Sequence, residues 1–164
     1  MDLTANRTRT NTAMPKAPLA KLLGAAKAAI RSLEFLTPLL NLGIRVLVAS
    51  VFFKSGLTKI ASWDTTLALF ESEYAVPLLP PELAAYLGTA AELALPVLLV
   101  LGLGTRLSAL ALFIFNIVAV ISYPDLGEVG LKDHQYYGLL QLVTLLHGPG
   151  KISLDHLLGR RFFR

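Results

Sequence analysis

The apolar stretch RVLVASVFFKSGLTKI, residues 45–60, carries three cations, Arg45, Lys54 and Lys59, and the later stretch LGTAAELALPVLLVLGLGTR carries one carboxylate, Glu92. A charge in hydrocarbon costs a few kcal/mol or more, so such groups face other helices or water and take a partner. Arg45, Phe52 and Lys59 recur every seven residues with Ala49 and Gly56 between them. That spacing puts them on one helical stripe, which the small residues let a second helix approach closely. Lys54 belongs to another face, about half a turn from Arg45 at 100° per residue. Counted from approximate span starts at Leu39 and Leu83, Arg45 lies roughly 9 Å, Glu92 roughly 18 Å and Lys54 roughly 22 Å above one boundary. Depth therefore matches Glu92 with Lys54 better than with Arg45, although an arginine could extend to meet it. Asn116 and Gln141 also fall near mid-depth, so a polar layer of Glu92, Lys54 or Arg45, Asn116 and Gln141 is expected, with Lys59 on the packing stripe. Two chemistries suit such a layer. It glues helices together, with Lys59 and Arg45 snorkelling to opposite ends, or it forms a pocket open to protons or a ligand. Pro96, one turn after Glu92, cannot donate a backbone hydrogen bond and so frees a carbonyl near the carboxylate.

Outside the apolar runs, SWDTTLALFESEYAVPLLPPE reads as a short amphipathic helix in which Trp63, Leu67, Phe70 and Tyr74 share a face before VPLLPP ends it. Its bland role is an interfacial aromatic anchor. Trp63, Glu71, Glu73, Tyr74, Asp133 and His134 would share one outer surface, able to hold a cation or a partner. No HxxxH or HxxE spacing marks a metal site, so none is assigned. His134 and His147 are roughly 20 Å apart along one helix and cannot clamp a haem together. With no cysteine in the chain, disulfides, thiolate metal centres, c-type haem attachment and a cysteine nucleophile are excluded. No phosphate loop, nucleophile elbow or carboxylate pair is present. No cofactor is evident.

The elements that must position these groups are membrane helices. A chain that is 54% hydrophobic and 16% charged, with mean hydropathy +0.61, is too apolar for an ordinary soluble domain. Four apolar runs, 38–60, 83–104, 107–123 and 134–147, predict an all-α, four-span bundle over residues 38–147. The last, HQYYGLLQLVTLLH, is short for a span, but Tyr136, Tyr137 and His147 suit headgroup levels. Its alternative is an interfacial helix.

Connector charge sets orientation. The segment before residue 38, the turn holding Arg106 and the tail from Gly148 are basic, whereas residues 62–82 and 124–133 are acidic. The positive-inside rule then places both termini in the cytoplasm, in a bacterial inner membrane. A pI near 9.5 thus reflects topology and not nucleic-acid binding, because the cations flank apolar runs instead of lining one soluble face. Residues 1–18 read as a disordered tail, 19–37 as an amphipathic helix on the inner leaflet and 148–164 as a basic tail. The N-terminal region lacks the uninterrupted apolar core and cleavage site of a signal peptide. The partners expected are the bilayer and other proteins, with self-association open.

Three stretches, RVLVASVFFKSGLTKI, ELALPVLLVLGLGTR and GPGKISLD, together resemble the DoxX family of small four-span bacterial membrane proteins. The likeness covers roughly residues 40–156. The family pattern of a first-span arginine, G-x-x-K, a second-span glutamate and G-x-x-T-R falls on Arg45, Gly56, Lys59, Glu92, Gly102, Thr105 and Arg106. FESEYAVPLLPP and KDHQYYGLLQLVTLLHGPGKISLD further resemble a branch found beside small exported metal-stress proteins. The resemblance implies an inner-membrane subunit that anchors or supports an oxidative, sulfur or metal stress-response complex, without chemistry of its own. The alternative it implies is a quinone-linked oxidoreductase subunit or a small-molecule carrier that uses an intramembrane Arg45/Glu92 pocket. Electron transfer would then need a bound quinone or a partner subunit.

Overall fold

The computed structural model describes residues 16–162, and these form six helices joined by short connections, with no strand among them. Helix α1 spans Lys16–Ala61, α2 Trp63–Ser72, α3 Pro81–Leu101, α4 Thr105–Ser122, α5 Gly127–His147 and α6 Leu154–Phe162. The chain divides between Leu36 and Thr37 into two compact units. The first unit, as far as it is described, is the leading part of α1. Its Leu22, Leu23 and Ile30 are exposed, as are the cations Lys21, Lys27 and Arg31. The tail expected over residues 1–18 lies outside the described residues up to position 15, and residues 16–18 are already helical. The boundary expected between residues 37 and 38 falls inside one continuous helix, because α1 runs through Pro38. A proline forfeits one helix hydrogen bond and kinks or strains a turn, but strong helix formers on both sides carry the helix across it.

Within the second unit, the Thr66 hydroxyl ties the end of α1 to the start of α2, donating to Lys59 O at 2.9 Å and to Ser62 O at 3.1 Å. The apolar face of α2 then lies on α3, with Phe70, Ala84 and Ala85 buried together and Trp63 against Tyr86 at 4.7 Å between ring centroids. Pro81 begins α3 at a position whose N–H would have no partner in any case. Gly102 ends α3 in the left-handed region at φ 68°, where its N–H reaches Leu99 O and the Leu103 N–H reaches Leu98 O. This is a Schellman closure, and it needs glycine at that site. A turn of three residues, 102–104, leads into α4, which packs along both α3 and α5.

Burial is inverted relative to a soluble bundle. Arg45, Glu92, Asn116, Gln141 and Thr144 are buried, whereas Leu107, Ile114, Ile117, Ile121, Leu139 and Leu146 face outward. Water would penalise that outer surface and hydrocarbon would not. The apolar core is Val48, Phe52, Leu99, Ala109 and Leu112, with Phe52 in edge contact with both Phe115 and Tyr137. Among the described residues, three helices are long and apolar enough to cross a membrane: Ala20–Ala61, Pro81–Leu101 and Thr105–Ser122. The fourth expected run is the latter part of α5, which has 21 residues but carries Glu128, Lys132 and Asp133 in its opening turns.

Candidate functional site

Gly56 is what brings α1 and α3 together. A Cβ there would lie 2.9 Å from Leu93 Cγ and 3.1 Å from Glu92 Cβ, so only glycine admits this approach. One turn further along α1, Lys59 Nζ sits 2.7 Å and 2.9 Å from the two Glu92 carboxylate oxygens. Ser55, one turn before Lys59, accepts from Nζ at 2.9 Å and donates to Glu92 Oε1 at 3.1 Å, closing a triangle. Both charged side chains are largely buried, at 18% and 8% exposed. A pair this dry persists because every partner is satisfied within it.

The partner of Glu92 is therefore Lys59, and neither Lys54 nor Arg45. Lys54 is turned about 140° around α1 from Lys59 and is exposed. Depths counted from level span starts mispair these groups, because the helix ends are not level. Lys59 lies two residues from the end of α1 and Glu92 eleven residues into α3, so these helix ends are staggered by on the order of 10 Å at 1.5 Å per residue. Lys59 reaches sideways into the stagger instead of snorkelling away.

Arg45 shares the inward stripe but not the site, being about 21 Å of helical rise from Lys59. Only 1% exposed, its guanidinium donates to Leu99 O at 3.4 Å and to Ile152 O. The Arg45/Glu92 pocket is thus not formed. Arg45 instead belongs to a clasp that joins the α3–α4 turn to the start of α6 and the residues just before it. The Asp155 carboxylate accepts from Gly104 N, Thr105 N and the Thr105 hydroxyl, each at 2.8 Å, and caps the first turn of α4. Burial alone would raise the pKa of Asp155, but the N–H groups of Thr105 and Gly104, the Thr105 hydroxyl and the Arg45 charge outweigh it and hold the group below its ordinary value. Asp155 N returns a bond to Gly102 O at 2.9 Å. A Cβ on Gly102 would strike the Arg45 guanidinium and come within 2.5 Å of Ser153 Cβ. Arg106 reaches Leu146 O at 3.5 Å and lies close over Gly148.

The remaining layer members also part company. Asn116 pairs with His134 across α4 and α5, while Gln141 is fully buried with neither amide atom hydrogen-bonded. The expected outer surface divides as well: Glu73 and Asp133 are exposed, Trp63 packs on Tyr86, and Tyr74 and His134 turn inward. Among the described residues no group of three His, Asp or Glu side chains is placed to hold a metal.

Tyr74 and His134 turn toward a cavity of about 460 Å³ bounded by α1, α2, α3, α4 and the start of α5. Lys59, Glu92 and Ser55 form a polar part of its wall; Leu87, Leu95, Ile114, Phe115 and Val118 supply apolar wall. Tyr74 sits edge-on to Phe70 and Tyr123, with ring centroids at 4.9 and 5.2 Å. Burial raises its pKa, helped by Tyr123, Glu73 and Glu92, so it remains a neutral phenol. The hydroxyl of Ser122, also in the wall, is buried without a partner. Sequence reasoning missed Ser55, Ser122 and Asp155. Ser55 was within reach, since it precedes Lys59 by four residues on the same stripe; Asp155 joins elements some 50 residues apart, for which no local signal exists.

An inverted burial pattern around apolar helices that pack closely through glycine defines a small multi-pass membrane protein. The DoxX family model matches residues 40–124. An uncharacterised protein of Haemophilus influenzae is 34% identical over 126 residues, covering 71% of this chain and 82% of that protein. The chain belongs to the DoxX family. No solved structure matches it.

Proposed function

We propose that this chain binds a small lipid-soluble molecule with a polar head in the cavity beside Lys59 and Glu92, acting as a carrier or as the quinone-binding subunit of a membrane oxidoreductase. The observation that carries this reading is the buried Lys59–Glu92 pair forming part of the wall of an otherwise largely apolar cavity of about 460 Å³. Binding sites are typically concave, mostly apolar and furnished with a few convergent polar groups. A quinone head would sit beside the Lys59–Glu92 pair, whose own hydrogen bonds are already made, and its tail would lie along the Leu87–Leu95 wall. Electrons would come from a partner, and this chain would supply hydrogen bonds and a low-dielectric setting.

The reading places both termini in the cytoplasm of a bacterial inner membrane with α5 as a fourth crossing. Asp155 supports it: the chain leaves the α3–α4 turn along α4 and is back at that turn after α5, so one crossing requires the other. A second reading, an anchor for a stress-response complex, draws support from α6, which exposes Leu157 and Leu158 near Arg160.

Extraction from native membranes in lipid-preserving polymer discs, followed by mass spectrometry of everything bound, tests the reading. A lipophilic molecule near one per chain, absent from the double variant Lys59→Met/Glu92→Leu, is the expected result. Protein partners without such a molecule, together with no binding of added short-tailed quinone, would replace it with the anchor.

A further inference from the structure

His134 and Asn116 hold each other in one defined arrangement. Asn116 Nδ2 donates to the His134 backbone carbonyl at 2.9 Å, and Asn116 Oδ1 lies 2.7 Å from His134 Nδ1. A backbone carbonyl only accepts, which fixes the amide nitrogen on that side; Oδ1 also only accepts, so Nδ1 must carry the hydrogen. The neutral ring is then left with Nε2 as its acceptor. Gly138 makes room for this pair on α5, since a Cβ there would come within 3.3 Å of Asn116 Nδ2.

His134 is half-buried and lines the same cavity as Lys59. Lys59 is a donor, and Glu92 is already occupied by Lys59 and Ser55. In its uncharged form His134 therefore adds an acceptor, Nε2, that makes no hydrogen bond of its own. Phe70, Tyr74, Phe115 and Tyr123 give the cavity aromatic faces. An acceptor in an apolar setting discriminates strongly in favour of a ligand that brings a donor.

We propose that the ligand of this cavity is a neutral hydroxyl-bearing aromatic amphiphile, a phenol in its simplest form, whose O–H donates to His134 Nε2. Asn116 is a positioning residue that fixes the ring's tautomer. This rests on the cavity being a binding site, and adds which chemical class it selects: a phenol, or among quinone-type ligands the reduced form that carries hydroxyls.

The test is equilibrium binding of para-octylphenol and its methyl ether to the full chain in lipid nanodiscs. The two probes share ring and tail and differ in the donor. The phenol is expected to bind about tenfold more tightly than the ether, the cost of leaving one buried acceptor unpaired. His134→Phe should bring the two affinities together, and Asn116→Leu should narrow the gap while leaving ether affinity unchanged. A merely structural role for either residue would weaken both probes alike. Equal wild-type affinities, or a phenol preference that survives His134→Phe, would overturn the inference and leave the cavity reading standing. Failure of both probes to bind would overturn the cavity reading itself.

Discussion

Replacing Asp155 by alanine removes three hydrogen bonds of 2.8 Å from the first turn of α4 and the counter-charge nearest Arg45. Loss of a helix cap costs about 0.5–2 kcal/mol, and hydrogen bonds to a charged group about 1.5–3 kcal/mol each before water repairs the loss. Asp155 is only partly buried, so water will reach some of the freed N–H groups, and about 2–4 kcal/mol in total is expected. For a chain of this size each kcal/mol moves the melting temperature by about 2–4 °C, which predicts a fall of about 5–15 °C in detergent. Asp155→Asn keeps an acceptor and loses the charge, and should fall about half as far. Asp64→Ala, at an exposed acid, is the control and should stay within about 1 °C of the parent. Thermal unfolding followed by circular dichroism reads all three. If Asp155→Ala melts with the parent, the clasp contributes nothing and the argument from its geometry is wrong.

Acid should act through the same carboxylate. Because its pKa is lowered in the folded chain, its stabilisation is complete above the ordinary aspartate value of about 3.9 and is lost as pH falls through the lowered value; the gap in melting between the parent and Asp155→Asn should begin to narrow only below about pH 4. Gly102→Ala meets both a left-handed backbone and the Arg45 and Ser153 side chains, and should cost about 2–4 kcal/mol. Gly104→Ala, at φ 57° with open space around it, should cost only about 1 kcal/mol, and equal melting temperatures for the two would show that packing at Gly102 has no role. Glu92→Gln strands Lys59 in a largely buried site and should cost about 3–5 kcal/mol, whereas Lys59→Met/Glu92→Leu should be near neutral. Thermal melts of both variants check this, and a double variant that melts well below the single one would refute it.

Much of this arrangement was legible because membrane helices announce themselves locally. Apolar length located α3 and α4, and the seven-residue recurrence of Arg45, Phe52 and Lys59 identified the inward stripe of α1. Gly56 on that stripe foretold the close approach of a second helix. What stayed hidden depends on how far one helix slides past another. The choice between Lys54 and Lys59 for Glu92 turned on the stagger between α1 and α3. Asn116, at a similar nominal depth, met His134 across α4 and α5, and Gln141 was buried without a hydrogen bond. The continuity of α1 through Pro38 was hidden differently, since a proline marks a weak point in a helix without dictating a break.

The clasp also bears on the order in which this chain can mature. The turn at 102–104 is synthesised some 50 residues before Asp155, and a ribosome adds about 5–20 residues per second. For those seconds the first turn of α4 stays uncapped by Asp155, and Arg45 lacks the Ile152 carbonyl. Four helices can already be in place while the end that they share remains ajar. A chain halted before residue 152 would hold α1 to α5 of the finished protein and still present an arginine without its full set of acceptors.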